Sequence, residues 1–239
     1  MAYTNSSLVS YINLSPNKTS PRNHAIDTIT IHVVVGQLTA KQILNLSSFV
    51  TYNPTSGSSC NYAVGTDGSI GLCVEEKDRS WCSSNKANDH RAVTIEVASD
   101  TKHPYAVNDK AYKALINLVA DICKRNNIKE LKWQGDKNLI GKVDKQNMTV
   151  HRWFANKTCP GDYLYNRHSQ IASAVNDELK NIGAKKLESG NDIIWELMNG
   201  KHKVAISEVK RAVTALDKAK NNPDYSSLYW ILYKLVNGN

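Results

Sequence analysis

Alternation of apolar and polar side chains predicts two strands in the first half of the chain. Residues 28–35 alternate between β-branched apolar and polar positions, and His32 falls on the polar face. Residues 92–98 alternate in the same way, so that Glu96 shares a face with Thr94. Each predicted strand therefore carries one ionisable side chain on the face opposite its apolar side.

The rest of the pattern alternates short extended segments with helices. Residues 60–66 and 69–75 flank Asp67-Gly68, a dipeptide typical of a two-residue hairpin turn. Helical spacing and capping signals predict the other elements: a helix over 39–50, a helix over 108–127, an extended piece over 148–153 and a helix capped by Asp162. Strands interleaved with helices indicate an α/β fold in which a mixed central β-sheet is flanked by helices.

The periodicity changes after residue 180. Residues 181–190 show no regular spacing of apolar side chains and contain two glycines, so we interpret them as a linker. Beyond them, residues 191–239 show three helical segments and no strand pattern. The sequence thus predicts a main domain over 1–180, followed by a small all-α module at the C-terminal end.

Charge narrows the choice of partner. The chain of 239 residues has a net charge of +8, which favours nucleic acid, an anionic membrane surface or an anionic wall polymer. Lysines outnumber arginines 23 to 7, whereas proteins that read nucleic acid sequence rely on arginine, so we expect no nucleic-acid partner. No run approaches the roughly 20 apolar residues of a membrane span, so we expect no membrane insertion.

The first ten residues lack the basic and apolar regions of a secretory signal, which predicts a protein kept in the cytoplasm until another protein releases it. In that compartment thiols are expected to be reduced, and the five cysteines are too few and odd in number for a disulfide framework. Four of them are interpreted as small buried apolar side chains: Cys60, Cys73, Cys82 and Cys123.

Three segments each carry one candidate metal ligand: His32 in the first predicted strand, His151 in the extended piece and Cys159 in the following turn. A single histidine in a strand is usually structural, because a metal site needs further ligands. A helix start and Lys157 are both expected to lower the pKa of Cys159, which favours a thiolate. That thiolate is either a nucleophile or a metal ligand, and two imidazoles with one thiolate match an open catalytic zinc site.

These segments resemble the zinc-dependent N-acetylmuramoyl-L-alanine amidases of the peptidoglycan-recognition (amidase type 2) family, in particular phage and prophage endolysins. The matching segments, in chain order, are Ile29-Thr-Ile-His-Val33, Asn61-Tyr-Ala-Val-Gly-Thr-Asp-Gly-Ser69, Val93-Thr-Ile-Glu-Val97, and His151 with Lys157-Thr-Cys-Pro-Gly161. The last is the most specific. The resemblance implies the fold of that family, one zinc ion per chain held by His32, His151 and Cys159, and hydrolysis of the amide between N-acetylmuramic acid and the L-alanine of the stem peptide, which lyses bacteria.

The resemblance also implies catalytic roles. Glu96 stands at an acidic strand position that other members use as a catalytic acid/base. Lys157 matches a lysine that stabilises the oxyanion, and Tyr62 matches a tyrosine that some members place beside the metal. The alternative for Glu96 is a charge on an exposed sheet face.

Aromatic and basic residues near these segments are candidate binding residues. Trp81, Arg152 and Trp153 are candidate substrate contacts, with core packing as the alternative for Trp153. In the C-terminal module, Tyr229 and Tyr233 lie one helical turn apart and could present a sugar-binding face.

The resemblance makes peptidoglycan the substrate and the bacterial cell wall the place of action. Residues 191–239 are then expected to bind a wall polymer, with homodimer formation as the alternative role. Two other functions stay open at this point. One is a non-catalytic peptidoglycan-binding module, although such members typically lack the cysteine. The other is a cysteine peptidase that uses Cys159 and His151 as a dyad.

Overall fold

The computed structural model describes residues 3–181, and those up to Leu179 belong to one compact unit. Its strands are β1 (Tyr11–Ile12), β2 (Lys18–Thr19), β3 (Thr28–Val35), β4 (Tyr62–Val64), β5 (Ile70–Leu72), β6 (Arg79–Ser80), β7 (Ala92–Ser99) and β8 (Met148–Thr149). Its helices are α1 (Ala40–Leu44), α2 (Ser47–Val50), α3 (Lys86–Arg91), α4 (Asp109–Arg125), α5 (Gly161–Tyr165) and α6 (His168–Asn181). Short 3₁₀ turns cover Lys137–Leu139 and His151–Trp153.

The mixed central sheet that the sequence predicts has six strands, in the order β1-β5-β4-β7-β3-β8. β3 lies between β7 and β8 and runs parallel to both, and β4 is parallel to β7. β4 and β5 form the antiparallel hairpin expected around Asp67-Gly68. Parallel strands in the middle of a sheet are covered on both faces, which explains why β3 and β7 consist mostly of β-branched and small side chains.

Helices α4 and α6 cover one face of this sheet. Leu115, Leu118 and Ile122 of α4 and Ile171 and Val175 of α6 are fully buried in one cluster with apolar residues of β3, β4 and β7. Burying each such side chain contributes about 1.5–3 kcal/mol. The helical spacing of these residues in the sequence therefore corresponds to the main core of the domain.

Helices α1 and α2 cover only part of the opposite face. Ile43, Leu44 and Phe49 pack there against small side chains that include Ala63 and Ala98. Polar side chains occupy the same face over the middle of β3 and β7, where the segments before α3 and after β8 cover it. This interruption of the apolar layer is where the candidate ligands lie.

A buried hydrogen-bond network ties α3 to the sheet. The hydroxyls of Thr30 and Thr149 lie 2.7 Å apart, and Asn88 donates to Thr30 and accepts from Thr149. These buried hydroxyl and amide groups satisfy one another, so they need no hydrogen bonds to water. The network also fixes the start of α3, and with it the turn that leads into the site.

The helices depart from the prediction in several places. The helix predicted over 39–50 is divided into α1 and α2, and the helix predicted from Asp162 is divided into α5 and α6. Asp162 lies in the first turn of α5, and Pro160 occupies the N-cap position. Helix α3 was not predicted because its six residues have no apolar repeat, although its Asn85 cap is a local signal.

No helix among the described residues is long and apolar enough to cross a membrane. Helix α6 includes Asn181, so the first residue of the predicted linker is helical. The rest of that linker and the predicted module over 191–239, with Tyr229 and Tyr233, lie outside the described residues. The expected wall-polymer binding and homodimer formation depend on the same segment.

His168 in α6 is fully buried and links stability to pH. Its Nδ1–H donates to the Leu164 carbonyl at 2.7 Å, its ring centre lies 4.5 Å from that of Trp133, and Nε2 has no partner among the residues described. Burial lowers the pKa of His168 from 6.5 to about 4. Since the unfolded chain binds this proton more tightly, the stabilisation is complete above pH 6.5 and is lost as pH falls toward 4.

We expect His168→Asn to lose less stability than the natural chain when the pH falls from 7 to 4. The asparagine amide can still donate to the Leu164 carbonyl but does not titrate. The difference between the two acid-induced losses of unfolding free energy should be on the order of 3 kcal/mol. Urea unfolding at both pH values measures it, and equal losses in the two proteins would contradict the assignment.

Candidate active site

His32 and Glu96 occupy paired positions in the middle of the sheet. In the parallel register of β3 and β7, His32 lies opposite Glu96, so both side chains point to the same face. That face is the one that α1 and α2 leave partly uncovered. The two residues singled out by strand alternation are therefore neighbours in space.

The segment after β8 brings His151 and Cys159 to His32. The backbone N–H of Arg152 donates to the Cys159 carbonyl at 3.1 Å, which closes the turn between the two candidate ligands. Cys159 Sγ lies 3.4 Å from His32 Nδ1, and the rings of His32 and His151 are centred 5.1 Å apart. One donor atom from each of the three residues lies within 4.8 Å of the others.

These residues fit a zinc ion. Two imidazole nitrogens and one sulfur are a common donor set for catalytic zinc, which keeps its fourth position open. His32 is fully buried, and its Nε2 has no partner within the described part of the chain. Burial and the neighbouring His151 lower the pKa of His32 to about 3, so its imidazole is neutral and able to coordinate at neutral pH.

The pKa of the Cys159 thiol departs from the sequence expectation. Burial and the negative charge of Glu96 raise it, and Arg152 and Lys157 offset only part of this rise. Lys157 acts in the predicted direction, but the predicted net lowering of this pKa is wrong for the protein without metal. A bound cation reverses the balance, because a coordinating thiol loses its proton.

Glu96 is placed to exchange protons close to neutral pH. Its Oε2 is shielded from solvent and has no hydrogen-bond partner in the described region, while Oε1 accepts from the Cys82 thiol at 3.8 Å. Burial raises the pKa of Glu96 to about 7. A carboxyl group with such a pKa can both take and return a proton under physiological conditions. The alternative of a charge on an exposed sheet face does not match this position.

Cys82 is a residue of the site that the sequence did not single out. Donor atoms of His32, Cys82 and Glu96 also lie within 4.8 Å of one another, so a second donor group shares His32 with the first. The sequence offers no spacing signal for Cys82. The sequence predicts a small buried apolar side chain at this position, and only the fold brings it to β7.

An open cleft of about 800 Å³ adjoins the site. Cys82, His151 and Lys157 are among its lining residues, as are the aromatic rings of Tyr52 and Trp81, which are centred 6.3 Å apart. The structure thus brings Trp81 and Lys157 to the same cleft as a candidate ligand. The charge of Lys157 joins burial in lowering the pKa of His151.

Arg79 is a second residue of the cleft that sequence reasoning missed. It is 93% buried, its guanidinium lies 5.9 Å from the centre of the Trp81 ring, and it donates to the Thr19 hydroxyl. Its Nε has no partner in the described residues, although a buried guanidinium normally has all its donors satisfied. Its position two residues before Trp81 is the one sequence signal that could have pointed to it.

Tyr62 lies away from the site. In the register of β4 with β7 it is Ala63 that lies opposite Glu96, so Tyr62 points to the α4 side of the sheet. Its hydroxyl donates to Glu76 at 2.6 Å and accepts from the backbone N–H of Ser6 at 2.9 Å. The prediction that Tyr62 lies beside the metal ligands is wrong, because the pleat of β4 directs it to the opposite face.

The other two candidate substrate contacts, Trp153 and Arg152, do not line this cleft. Trp153 is buried, and its ring stacks on Trp133 with centres 5.0 Å apart, which supports core packing and contradicts a substrate contact. Arg152 pairs with Asp162 at 3.1 Å and lies 4.5 Å from the centre of the Tyr165 ring. It lines a separate cavity of about 300 Å³, so its role toward substrate stays a prediction.

Comparison with known proteins gives one family and several similar folds. The sequence profile of the family described as N-acetylmuramoyl-L-alanine amidase matches residues 22–162. A crystal structure of a selenomethionine AmpD derivative is 18% identical, with a TM-score of 0.51 over 72% of this chain and 99% of that one. Peptidoglycan recognition protein SD of Drosophila is 16% identical, with a TM-score of 0.50 over 68% and 94%. A mutant endolysin from Bacillus subtilis is 16% identical, with a TM-score of 0.49 over 70% and 99%. No curated protein matches the sequence.

Proposed function

The chain belongs to the family of N-acetylmuramoyl-L-alanine amidases, and we propose that it is a zinc-dependent peptidoglycan hydrolase. The bond cleaved is the amide between the lactyl group of N-acetylmuramic acid and the L-alanine of the stem peptide. One zinc ion is held by His32, His151 and Cys159. The observation that carries the proposal is the convergence of these three donors beside Glu96 and next to an open cleft.

Glu96 is the proton carrier of the proposed reaction. When bound, zinc supplies Lewis acidity, which polarises a carbonyl and makes a water more acidic. The carboxylate of Glu96 accepts the proton of the attacking water and later returns it to the amine of the departing L-alanine. Its pKa of about 7 in the metal-free protein lies close to the pH at which both transfers are possible.

Residues at the cleft bind and stabilise the substrate in this proposal. Lys157 lines the cleft together with His151, and its ammonium can donate to the oxyanion that forms at the scissile carbonyl. Trp81 offers an aromatic surface for a sugar ring or peptide. Arg79 lines the same cleft, and its guanidinium suits a carboxylate of the stem peptide, because guanidinium groups bind carboxylates well.

A cysteine peptidase is the weaker alternative. A nucleophilic cysteine needs a lowered pKa, whereas burial raises the pKa of Cys159. The imidazole nitrogen near Cys159 Sγ is Nδ1 of His32, which is itself fully buried and has a lowered pKa. The alternative of a binding module that does not hydrolyse peptidoglycan leaves the position of Glu96 unexplained.

Mass analysis of digested cell wall tests the proposed function. Hydrolysis at the proposed bond releases stem peptides with a free L-alanine amine and leaves glycan strands with free lactyl carboxylates. Chelator should stop the reaction, and added zinc should restore it. Cleavage inside the stem peptide would favour the peptidase instead. So would activity of the metal-free protein that is lost when its thiols are alkylated.

The cellular role that fits this activity is that of an endolysin. In this role the enzyme stays in the cytoplasm until another protein opens the membrane, and it then lyses the bacterium from the wall side. Residues 191–239 serve to bind a wall polymer, because a tethered binder raises the local concentration of substrate. This part of the proposal rests on the sequence pattern alone.

We expect the double substitution Tyr229→Ala and Tyr233→Ala to weaken binding to intact cell walls while leaving hydrolysis of soluble muramyl peptides unchanged. Loss of two stacking aromatic rings removes sugar contacts but touches none of the proposed catalytic residues. Sedimentation with purified walls and a soluble-substrate assay on the full chain measure the two effects. If the variant binds walls normally but changes from dimer to monomer, the segment serves assembly.

A further inference from the structure

Ser84 has an unusual backbone conformation at the edge of the metal site. Its φ is +60°, in the left-handed region that glycine adopts freely and that a serine adopts at a cost in conformational free energy. Ser84 also lines the cleft. A residue held in this conformation needs a compensating interaction or a rigid surrounding.

The surrounding turn is fixed from both sides. The carboxylate of Asp89 accepts hydrogen bonds from the backbone N–H groups of Cys82 and Ser83, at 3.1 and 3.2 Å. On the other side, Asn85 caps α3 by accepting from the backbone N–H of Asn88. The position of Ser84 is therefore set by neighbours that are themselves held by α3.

The Ser84 hydroxyl meets a ligand that the proposed function requires. Its Oγ lies 3.1 Å from Nε2 of His151. A histidine that binds a metal through one ring nitrogen usually donates the N–H of the other to an acceptor, which selects the tautomer and orients the ring. Here the hydroxyl can accept from Nε2–H, which leaves Nδ1 free for the metal.

We propose that Ser84 is a positioning residue that holds His151 in the tautomer protonated on Nε2. This inference rests on the proposed metal site and adds the Ser84 hydroxyl as the group that orients His151 for the metal. The left-handed backbone at Ser84 is maintained because it directs the hydroxyl to the imidazole. Glycine would fit the turn without strain but would lack the acceptor.

Three substitutions in the full chain separate the hydroxyl from the backbone conformation. Ser84→Ala removes the acceptor and keeps the strain, and Ser84→Gly removes both. Ser84→Asn keeps an acceptor on a residue that tolerates positive φ. Ser56→Ala is the matched control, because Ser56 lines the same cleft and bonds to Asn53 through its backbone N–H.

Zinc affinity and thermal stability should change independently of each other among these variants. We expect Ser84→Ala and Ser84→Gly to bind zinc roughly 10–100-fold more weakly, as for the loss of other groups that support metal ligands. The Tm of metal-free Ser84→Gly should be no lower than that of Ser84→Ala. Ser84→Asn should recover most of the affinity, and Ser56→Ala should match the natural chain. Competition with a chromogenic chelator measures the affinity.

Ring ¹⁵N spectra of histidine-labelled, metal-free protein provide the readout that a purely structural role would not change. The His151 signals should show a proton on Nε2 in the natural chain and a mixture of tautomers in Ser84→Ala. Full zinc affinity in Ser84→Gly, or a proton on Nδ1 in the natural chain, would overturn the inference. If the natural chain binds no zinc, the proposed function fails, while the tautomer spectra still decide the role of Ser84.

Discussion

Replacing Cys159 with alanine is expected to lower the affinity for zinc by more than about 100-fold and to abolish hydrolysis of peptidoglycan. Losing a group that only supports a ligand costs roughly 10–100-fold in metal affinity, so losing the ligand itself costs more. The Cys159 thiol lies 3.4 Å from His32 Nδ1, and without it two imidazoles remain in this donor group. Calorimetric titration with zinc and the metal content after dialysis measure the effect, and far-ultraviolet circular dichroism checks the fold.

Cys82→Ala is the matched control for this experiment. Cys82 belongs to the second donor group, which shares His32 with the first and adds Glu96. If the ion is held as proposed, Cys82→Ala keeps its zinc and Cys159→Ala loses it. The reverse result would assign the metal to the second group and would contradict the ligand set proposed here. Cys123 lies in α4, on the opposite face of the sheet, so Cys123→Ala should change neither the affinity for zinc nor the hydrolysis of peptidoglycan.

The positions of His32 and Glu96 could be predicted because they depend on a short-range rule. Each residue lies in an eight-residue strand, and the alternation of side chains assigns its face without knowledge of the rest of the fold. The proximity of Cys159 to His151 could be predicted for a similar reason, since a turn joins these residues, which are only eight positions apart in the sequence. The long helix α4 was predicted from its apolar spacing, and its bounds differ from the prediction by one or two residues.

The direction of the Tyr62 side chain could not be predicted from alternation within its own strand. Its side chain direction depends on which residue of β4 lies opposite Glu96, and that residue is Ala63. A shift of one residue in register exchanges the two faces of a strand, and a single sequence does not specify the register between strands that are distant in the chain. The resemblance to a family could match the tyrosine by position but could not place it on a face.

Long-range contacts also explain the other residues that were missed or misjudged. The hydrogen bond between Ser84 and His151 spans 67 residues of sequence, and a positive φ at a serine has no local signal. The expectation of a lowered pKa for Cys159 rests on Lys157 and the helix start, which are close to it in sequence. Burial against β3 and the charge of Glu96 are distant in sequence, and they outweigh the local effects.

Glu96→Gln is expected to lower kcat by roughly 10²–10⁴-fold, the usual contribution of a general acid/base, with little change in zinc content or KM. Glutamine has nearly the same shape but cannot accept a proton from water. The buried, unpartnered Oε2 of Glu96 makes this substitution tolerable for the fold, because burying an amide costs less than burying a carboxylate. Glu75→Gln, which changes a carboxylate that pairs with Lys77 at the surface, is the matched control and should keep full activity.

The dependence of kcat/KM on pH distinguishes a proton carrier from a residue that only shapes the site. Burial raises the pKa of Glu96 to about 7 in the metal-free protein, and a bound cation favours the charged carboxylate and so lowers this value. Since the carboxylate form must accept the proton, activity should rise with pH through a pKa at or below 7, and Glu96→Gln should lack this acidic limb. A variant with unchanged kcat and an unchanged pH profile would show that Glu96 carries no proton. Lys157 would then be the one side chain with a catalytic role among those proposed to act beside the metal.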